Sequence, residues 1–104
     1  MIHVRKVMPE YFNALLDGTK HFELRREDPD APRFAVGDYL ALNEYDPCRH
    51  AAPDDLYTGR CLLFEISYVL RDFEGLAADY VILGLRTTPL SWMDGGELVV
   101  RPKI

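Results

Sequence analysis

Three side chains near the start of the chain have the types and spacing needed to bind or transform a polar ligand. Lys20, Glu23 and Arg25 lie within the segment GTKHFELR, residues 18–25. If this segment is a strand, Glu23 and Arg25 project from one face, where a carboxylate orients a guanidinium. Lys20 reaches the same place through its long aliphatic stem. The group either binds phosphate, carbonyl or amide groups, or is an ion pair on a solvated strand face.

A helix and a strand are predicted to position this group. Pro9 suits the first turn of a helix, and apolar side chains recur at helical spacing from Tyr11 to Leu16. Gly18 is a residue type that commonly ends helices, so a helix is predicted over about residues 9–17. The next segment then alternates apolar and polar residues at a period of two, which is typical of a strand.

The rest of the chain shows strand patterns and loops, without crossover helices between them. The predicted strands cover residues 2–7, 20–26, 39–45, 59–70 and 80–85, and ELVVR in the C-terminal extension 87–104 supplies one more. Gly84 inside the fifth of these predicts a bend or a close approach. The prediction is one domain over 1–104, mainly β with a short N-terminal helix (α+β), folded as a five- to six-stranded β-barrel.

Composition narrows the classes of protein. The chain has 104 residues, of which 48% are hydrophobic and 28% charged, as in one ordinary globular domain. Its net charge of −5 argues against nonspecific wrapping of nucleic acid, although a local basic site remains compatible with it. No apolar run approaches the roughly 20 residues of a membrane helix, and the first residues lack a signal-peptide pattern. A cytoplasmic location without membrane contact is expected.

Cysteine and histidine do not predict a metal centre. Cys48 and Cys61 are expected to be free thiols. Cys48 and His50 are separated by a single residue, which is not the usual spacing of zinc ligands. We therefore expect no metal and no cofactor. His21 is of interest instead as a neighbour of Glu23 on the same strand face.

The sequence resembles the ASCH domains, which are relatives of the RNA-binding PUA domains. The signature G-x-K-x-x-E-x-R of that superfamily is matched by Gly18, Lys20, Glu23 and Arg25, directly after the amphipathic helix. Over about residues 3–86 the chain is similar to small ASCH-like proteins of bacteria and phages without an assigned function.

The resemblance implies a PUA-like barrel whose cleft, between the helix and the barrel, takes a nucleotide or an RNA segment. It also implies that the first strand enters the cleft, so Lys6 either adds positive charge beside Lys20 or is an exposed edge lysine that discourages strand pairing. The expected ligand-binding residues are therefore Lys6, Lys20, His21, Glu23 and Arg25.

An amidohydrolase is the alternative that the resemblance offers. Some small ASCH proteins deacylate acetylated cytidine with the signature lysine, a threonine three residues later and a distant glutamate. Lys20 matches the lysine, but Glu23 occupies the threonine position, so the hydroxyl is missing. A remaining hydrolytic scheme would use Lys20 to hold an oxyanion and Glu23 as the base. Glu65, within the apolar segment LLFEISY, is either the other candidate carboxylate or an outward-facing residue on a twisted strand.

A third hypothesis is a protein-binding module of phage or mobile-element origin. It would act through the acidic loop over residues 46–55. Nearby, Arg60 is predicted to pair with one of the acids in the segment Glu44-Tyr45-Asp46, in a structural role.

Overall fold

The computed structural model describes residues 1–49, 56–93 and 97–100. Its elements are β1 (Ile2–Val7), α1 (Pro9–Asp17), β2 (Phe22–Arg26), β3 (Tyr39–Tyr45), β4 (Tyr57–Leu70), β5 (Tyr80–Met93) and β6 (Glu97–Val100). The predicted class, mainly β with one short N-terminal helix, is confirmed. Within these residues no helix has the length and apolar character needed to cross a membrane.

One sheet contains all six strands. Neighbouring strands follow the order β1-β3-β4-β5-β2, and β6 pairs with the C-terminal end of β5. β1 runs parallel to β3, whereas the other ladders are antiparallel. The sheet curls into a half-barrel rather than a closed barrel, since β1 and β2 form no ladder with each other in the part of the chain that is described.

The Arg25 side chain spans the gap between β1 and β2. Arg25 on β2 donates a hydrogen bond from Nη2 to the carbonyl oxygen of Lys6 on β1, over 2.9 Å. Two residues earlier on β1, the carbonyl oxygen of Val4 accepts a hydrogen bond from the Arg5 guanidinium over 2.9 Å. Arginine side chains thus satisfy backbone acceptors on β1 that a closed barrel would have paired with a strand.

α1 has the predicted bounds. Pro9 is at its first turn, and Gly18 ends it in the left-handed region with φ of 85°, where a side chain would be strained. Phe12 and Leu15 are fully buried, whereas Tyr11 is about half exposed. The helix therefore packs one narrow apolar stripe against the sheet and leaves the Tyr11 ring exposed at the edge of this contact.

The core draws apolar side chains from α1, from four strands and from one loop. Its members are Val7, Phe12, Leu15, Phe34, Leu40, Leu42, Leu62, Phe64, Ile66, Val81, Leu83 and Leu85. β2 contributes none of them, because its buried residue is Glu23, at 3% exposure, while Phe22 and Leu24 point outward. A carboxylate thus takes the place of a core side chain on this strand.

β5 is longer than predicted. The pattern ended the strand at residue 85, but the strand continues to Met93. Between the pairs Phe64–Thr87 and Leu62–Ser91 the register shifts, and Pro89 falls inside this irregularity. A proline is tolerated there because a bulge leaves its missing N–H unused.

Gly84 confirms the predicted close approach. A Cβ at this position would lie 3.1 Å from the Cβ of Tyr68 and 3.2 Å from the hydroxyl of Ser67. The β4–β5 register also shifts here, between Ile66 and Tyr68. Only glycine lets the two strands meet at this bulge without displacement.

Candidate functional site

The turn after α1 aims Lys20 at β2. The Lys20 amide donates to the Ala14 carbonyl oxygen over 3.0 Å, which folds the chain back over the end of the helix. Thr19 stabilises the same turn, since its hydroxyl donates to the Asp17 carboxylate over 2.7 Å. This bond also holds the pKa of Asp17 below its ordinary value. The hydroxyl of Thr19 is therefore engaged in the turn.

Glu23 is a buried carboxylate held between two cations. Lys20 donates from Nζ to Oε1 over 2.5 Å, and Arg25 donates from Nε to Oε2 over 2.8 Å. An ionised carboxylate is costly to bury unless it is paired and hydrogen bonded, and here each oxygen has a charged donor. Because two cations surround one carboxylate, the group keeps a net positive charge.

This group lies in a cleft of about 480 Å³ between β1, α1 and β2. The cleft is lined by Lys6, Val7, Met8, Tyr11, Lys20, Phe22, Glu23, Leu24 and Arg25. Three of these side chains are basic and one is acidic, a net charge of +2, although the whole chain carries −5. The cleft is therefore a locally positive region on an acidic protein.

Two aromatic rings flank the ammonium group of Lys20. Its Nζ lies 4.9 Å from the centroid of the Tyr11 ring and 5.3 Å from that of Phe22. Both residues are 48% exposed. The sequence analysis did not assign them to the site, because each belonged to an apolar pattern that also suits a core. The alternation along β2 could have predicted the exposure of Phe22, because neighbouring residues of a strand point to opposite faces and Glu23 points inward.

Lys6 joins the cleft from the opposite edge. Its side chain is exposed, and its Nζ lies 4.5 Å from the centroid of the Tyr45 ring. Its backbone carbonyl accepts the hydrogen bond from Arg25 that spans the gap. The structure thus brings Lys6, Lys20, Glu23 and Arg25 together, as the sequence predicted.

His21 does not line the cleft, which corrects its predicted placement. Glu65 does not line it either and takes the outward-facing alternative. His21 precedes β2, where its carbonyl accepts from the Leu85 amide over 2.9 Å and its exposed ring lies near Gly18. Glu65 has the opposite parity to the residues that β4 contributes to the core, so it faces away from the core. Its carboxylate accepts a hydrogen bond from Arg86 over 3.1 Å.

A second carboxylate cluster follows the end of β2. The Arg71 guanidinium binds Glu27 through two hydrogen bonds, over 2.6 and 2.8 Å, and also donates to the Phe34 carbonyl. The Phe34 amide donates to the same Glu27 carboxylate over 3.0 Å. The Arg71 contacts lower the pKa of Glu27 to about 2. These bonds fix the loop that inserts Phe34 into the core.

Glu44, the other buried acid beside Glu23, is paired as predicted. Arg60 lies with Nε 3.3 Å from Glu44 Oε1, and the Thr58 hydroxyl donates to the same oxygen over 2.6 Å. Arg60 also donates from Nη2 to Asn13 on α1 over 2.9 Å.

The cysteines are free thiols, as predicted. Cys48 is exposed, whereas Cys61 is buried, which raises the pKa of its thiol. His50 and residues 50–55 of the acidic loop lie outside the described residues. Across residues 1–49, 56–93 and 97–100, no group of three or more His, Cys, Asp or Glu side chains is arranged to hold a metal ion.

Comparison with protein families finds a match over residues 2–85 to a domain of unknown function, DUF3850. This match spans well over half of the chain. The chain belongs to the DUF3850 family. The matched range contains every charged side chain of the cleft, and it ends within β5, before β6. No curated protein matches the chain.

Proposed function

We propose that the cleft between β1, α1 and β2 binds a nucleotide or a segment of RNA, and that the curled sheet with α1 is a PUA-like fold of the ASCH type. One observation carries this proposal: an excess of cations around the buried Glu23 stands beside two exposed aromatic rings. The order of the signature residues supports it independently.

Each part of a nucleotide has a counterpart in the cleft. Lys20 and Arg25 each donate to Glu23 and retain further donors for phosphate or carbonyl oxygens. The exposed faces of Tyr11 and Phe22 provide surfaces for stacking a base. Because Lys20 lies within about 5 Å of both rings, a stacked ligand would place its polar edge near the ammonium. The cleft thus suits an anion that carries a flat ring.

The geometry favours binding over hydrolysis. Both oxygens of Glu23 already accept hydrogen bonds from cations, so the carboxylate is not presented to a substrate as a base. Among the side chains that line the cleft, a hydroxyl group is present on Tyr11, and it is a phenol rather than the threonine hydroxyl that the hydrolases use. Thr19 uses its hydroxyl within the turn, and Glu65 faces away.

The test is a titration at low salt, followed by amide NMR shifts. The probes are the four ribonucleoside 5′-monophosphates and short single-stranded RNAs. We expect shifts for residues of β1, α1 and β2. The variant is Lys20→Ala with Arg25→Ala and Glu23→Gln, which removes both cations without leaving a buried charge. Its affinity should fall about a hundredfold or more, since each charged hydrogen bond contributes roughly 1.5–3 kcal/mol.

Arg26→Ala is the matched control. Arg26 lies on the same strand as Arg25, is exposed, and does not line the cleft, so its removal should leave the affinity unchanged. Absence of shifts with every probe, or equal binding by the triple variant, contradicts the proposal. Release of acetate from acetylated cytidine that depends on Lys20 would favour the hydrolase instead.

A further inference from the structure

A second cleft adjoins the first and shares Lys6 with it. It has a volume of about 330 Å³ and lies between β1, the end of β3 and the start of β4. Its lining includes Arg5, Lys6, Glu44, Tyr57 and Arg60. Because Lys6 borders both clefts, its ammonium is within reach of ligand groups on either side.

The second cleft also has an exposed ring. Tyr57 is 47% exposed, and its ring packs edge-on against Tyr45 with centroids 5.1 Å apart. The ammonium of Lys6 lies 4.5 Å from the centroid of Tyr45. The second cleft thus has one exposed ring in its lining, Tyr57, and Lys6 contacts the neighbouring ring, Tyr45.

Arg60 places a guanidinium in the second cleft, and not all of its N–H donors have a hydrogen-bond partner among the described residues. Its guanidinium stacks over the Phe12 ring at 4.3 Å. Although Glu44 lies 3.3 Å from Nε, the geometry is poor for a hydrogen bond, and the buried Nε has no hydrogen-bond partner among the described residues. The same Glu44 oxygen accepts a hydrogen bond from the Thr58 hydroxyl. The pair is thus loosely coupled compared with that of Glu23 and Arg25.

The two clefts share Lys6, and basic side chains outnumber acidic ones in both linings. Together they are lined by five basic side chains, Arg5, Lys6, Lys20, Arg25 and Arg60, and by two acidic ones, Glu23 and Glu44. This net charge of +3 contrasts with −5 for the chain. A continuous positive surface with rings at intervals is the pattern by which proteins hold single-stranded nucleic acid.

We propose that the two clefts form one groove for a dinucleotide unit of single-stranded RNA. This inference rests on the proposed function and extends it from a nucleotide to a strand. One base stacks at Tyr11 and Phe22, the next base stacks at Tyr57, and the phosphate between them lies at Lys6. The partner is therefore a strand end or an unpaired loop, because paired bases do not expose their faces to such a groove.

Calorimetric titration of monomers against dimers tests this arrangement. The probes are UMP, AMP, CMP and GMP, and the 5′-phosphorylated dinucleotides pUpU, pApA, pCpC and pGpG. We expect the best dinucleotide to bind about tenfold more tightly than its monomer, as one added stacked base would give. The slope of log K against log salt should steepen by about 0.7, for one more phosphate contact. Deoxyribonucleotide versions show whether the 2′-hydroxyl contributes.

Tyr57→Ala separates the second subsite from the first. It should weaken dinucleotide binding about tenfold and leave monophosphate binding unchanged. Tyr68→Ala is the matched control, because Tyr68 is an exposed tyrosine on the same strand that lines neither cleft. An amide NMR spectrum of each variant verifies that it is folded.

The outcomes distinguish the two proposals. If monophosphates bind but dinucleotides bind within threefold of them, or if Tyr57→Ala weakens both equally, the groove is overturned while the nucleotide site stands. If neither class of probe binds, both proposals are overturned.

Discussion

Glu23 and Glu27 lie four positions apart, and each is paired with arginine, yet their surroundings are opposite in charge. Around Glu23 the cleft carries a net +2 and two exposed rings. Around Glu27 a hollow of about 300 Å³ is lined by four acids, Glu27, Asp28, Asp72 and Asp79, and by two bases, Arg33 and Arg71, a net −2.

The difference lies in what the arginine does with its remaining donors. Arg71 directs them at the backbone of Phe34, so the cluster around Glu27 closes on the protein itself. Near Glu23, two cations share one carboxylate, and Arg25 makes a single further bond, to Lys6. A buried ion pair is therefore not evidence of a site by itself. The local balance of charge distinguishes the two clusters, since the lining around Glu23 has a net positive charge and that around Glu27 a net negative one.

Substituting each arginine should separate the two roles, and this is the largest effect we expect. Arg71→Met removes the main cation of Glu27 and a bond to Phe34, so the free energy of unfolding should fall by about 2–3 kcal/mol. Nucleotide affinity per folded molecule should not change. Arg25→Met leaves Glu23 paired with Lys20, so it should lower affinity at least tenfold with a smaller loss of stability.

Urea unfolding and titration of the same two variants provide the measurements. A loss of affinity in Arg71→Met that matches that of Arg25→Met would remove the distinction between the clusters.

Acid should remove the stabilisation that the ion pair of Glu27 provides. Arg71 lowers the pKa of Glu27 from 4.5 to about 2, so the stabilisation is fully present above pH 4.5 and is lost as the pH falls toward 2. We expect about 2 kcal/mol, less than the full linkage value because Arg71 is partly exposed to solvent. Urea unfolding between pH 6 and pH 2 should show Glu27→Gln converging with the wild type as the pH falls.

Glu74→Gln, at an exposed position, is the control for this pH series. It should follow the wild-type curve. A constant gap between Glu27→Gln and the wild type at every pH would show that the carboxylate contributes through shape rather than through its charge.

The smallest effect concerns the rings. Tyr11→Ala should lower nucleotide affinity about tenfold through the loss of stacking, whereas Tyr80→Ala should leave it unchanged. The two tyrosines form a matched pair, since both are exposed and Tyr80 lines the hollow of Glu27 instead. Calorimetric titration measures both. Equal losses in the two variants would mean that the rings act on the fold rather than on the ligand.

Local elements were predictable because local chemistry decides them. Proline at the start and glycine after the end bound α1 correctly, and a period of two identified β1, β2 and β3. The grouping of Lys20, Glu23 and Arg25 followed from strand parity and from the reach of a lysine at the turn. The strand pattern predicted β5 only to residue 85, and only the register with β4 shows that the strand continues through a bulge.

The tertiary structure alone decided which face of β2 turns inward. Alternation divides that strand into two faces, and burying the one with Phe22 and Leu24 would satisfy hydrophobicity better; yet Glu23 is the buried residue. That choice depends on partners from other elements, since Lys20 enters from the turn and Arg25 reaches across to β1. Likewise, the pairing of Glu27 with Arg71 joins residues 44 positions apart. Sequence periodicity records the spacing of side chains within an element. The net charge of a cleft and the exposure of its side chains to solvent depend on how several elements pack together.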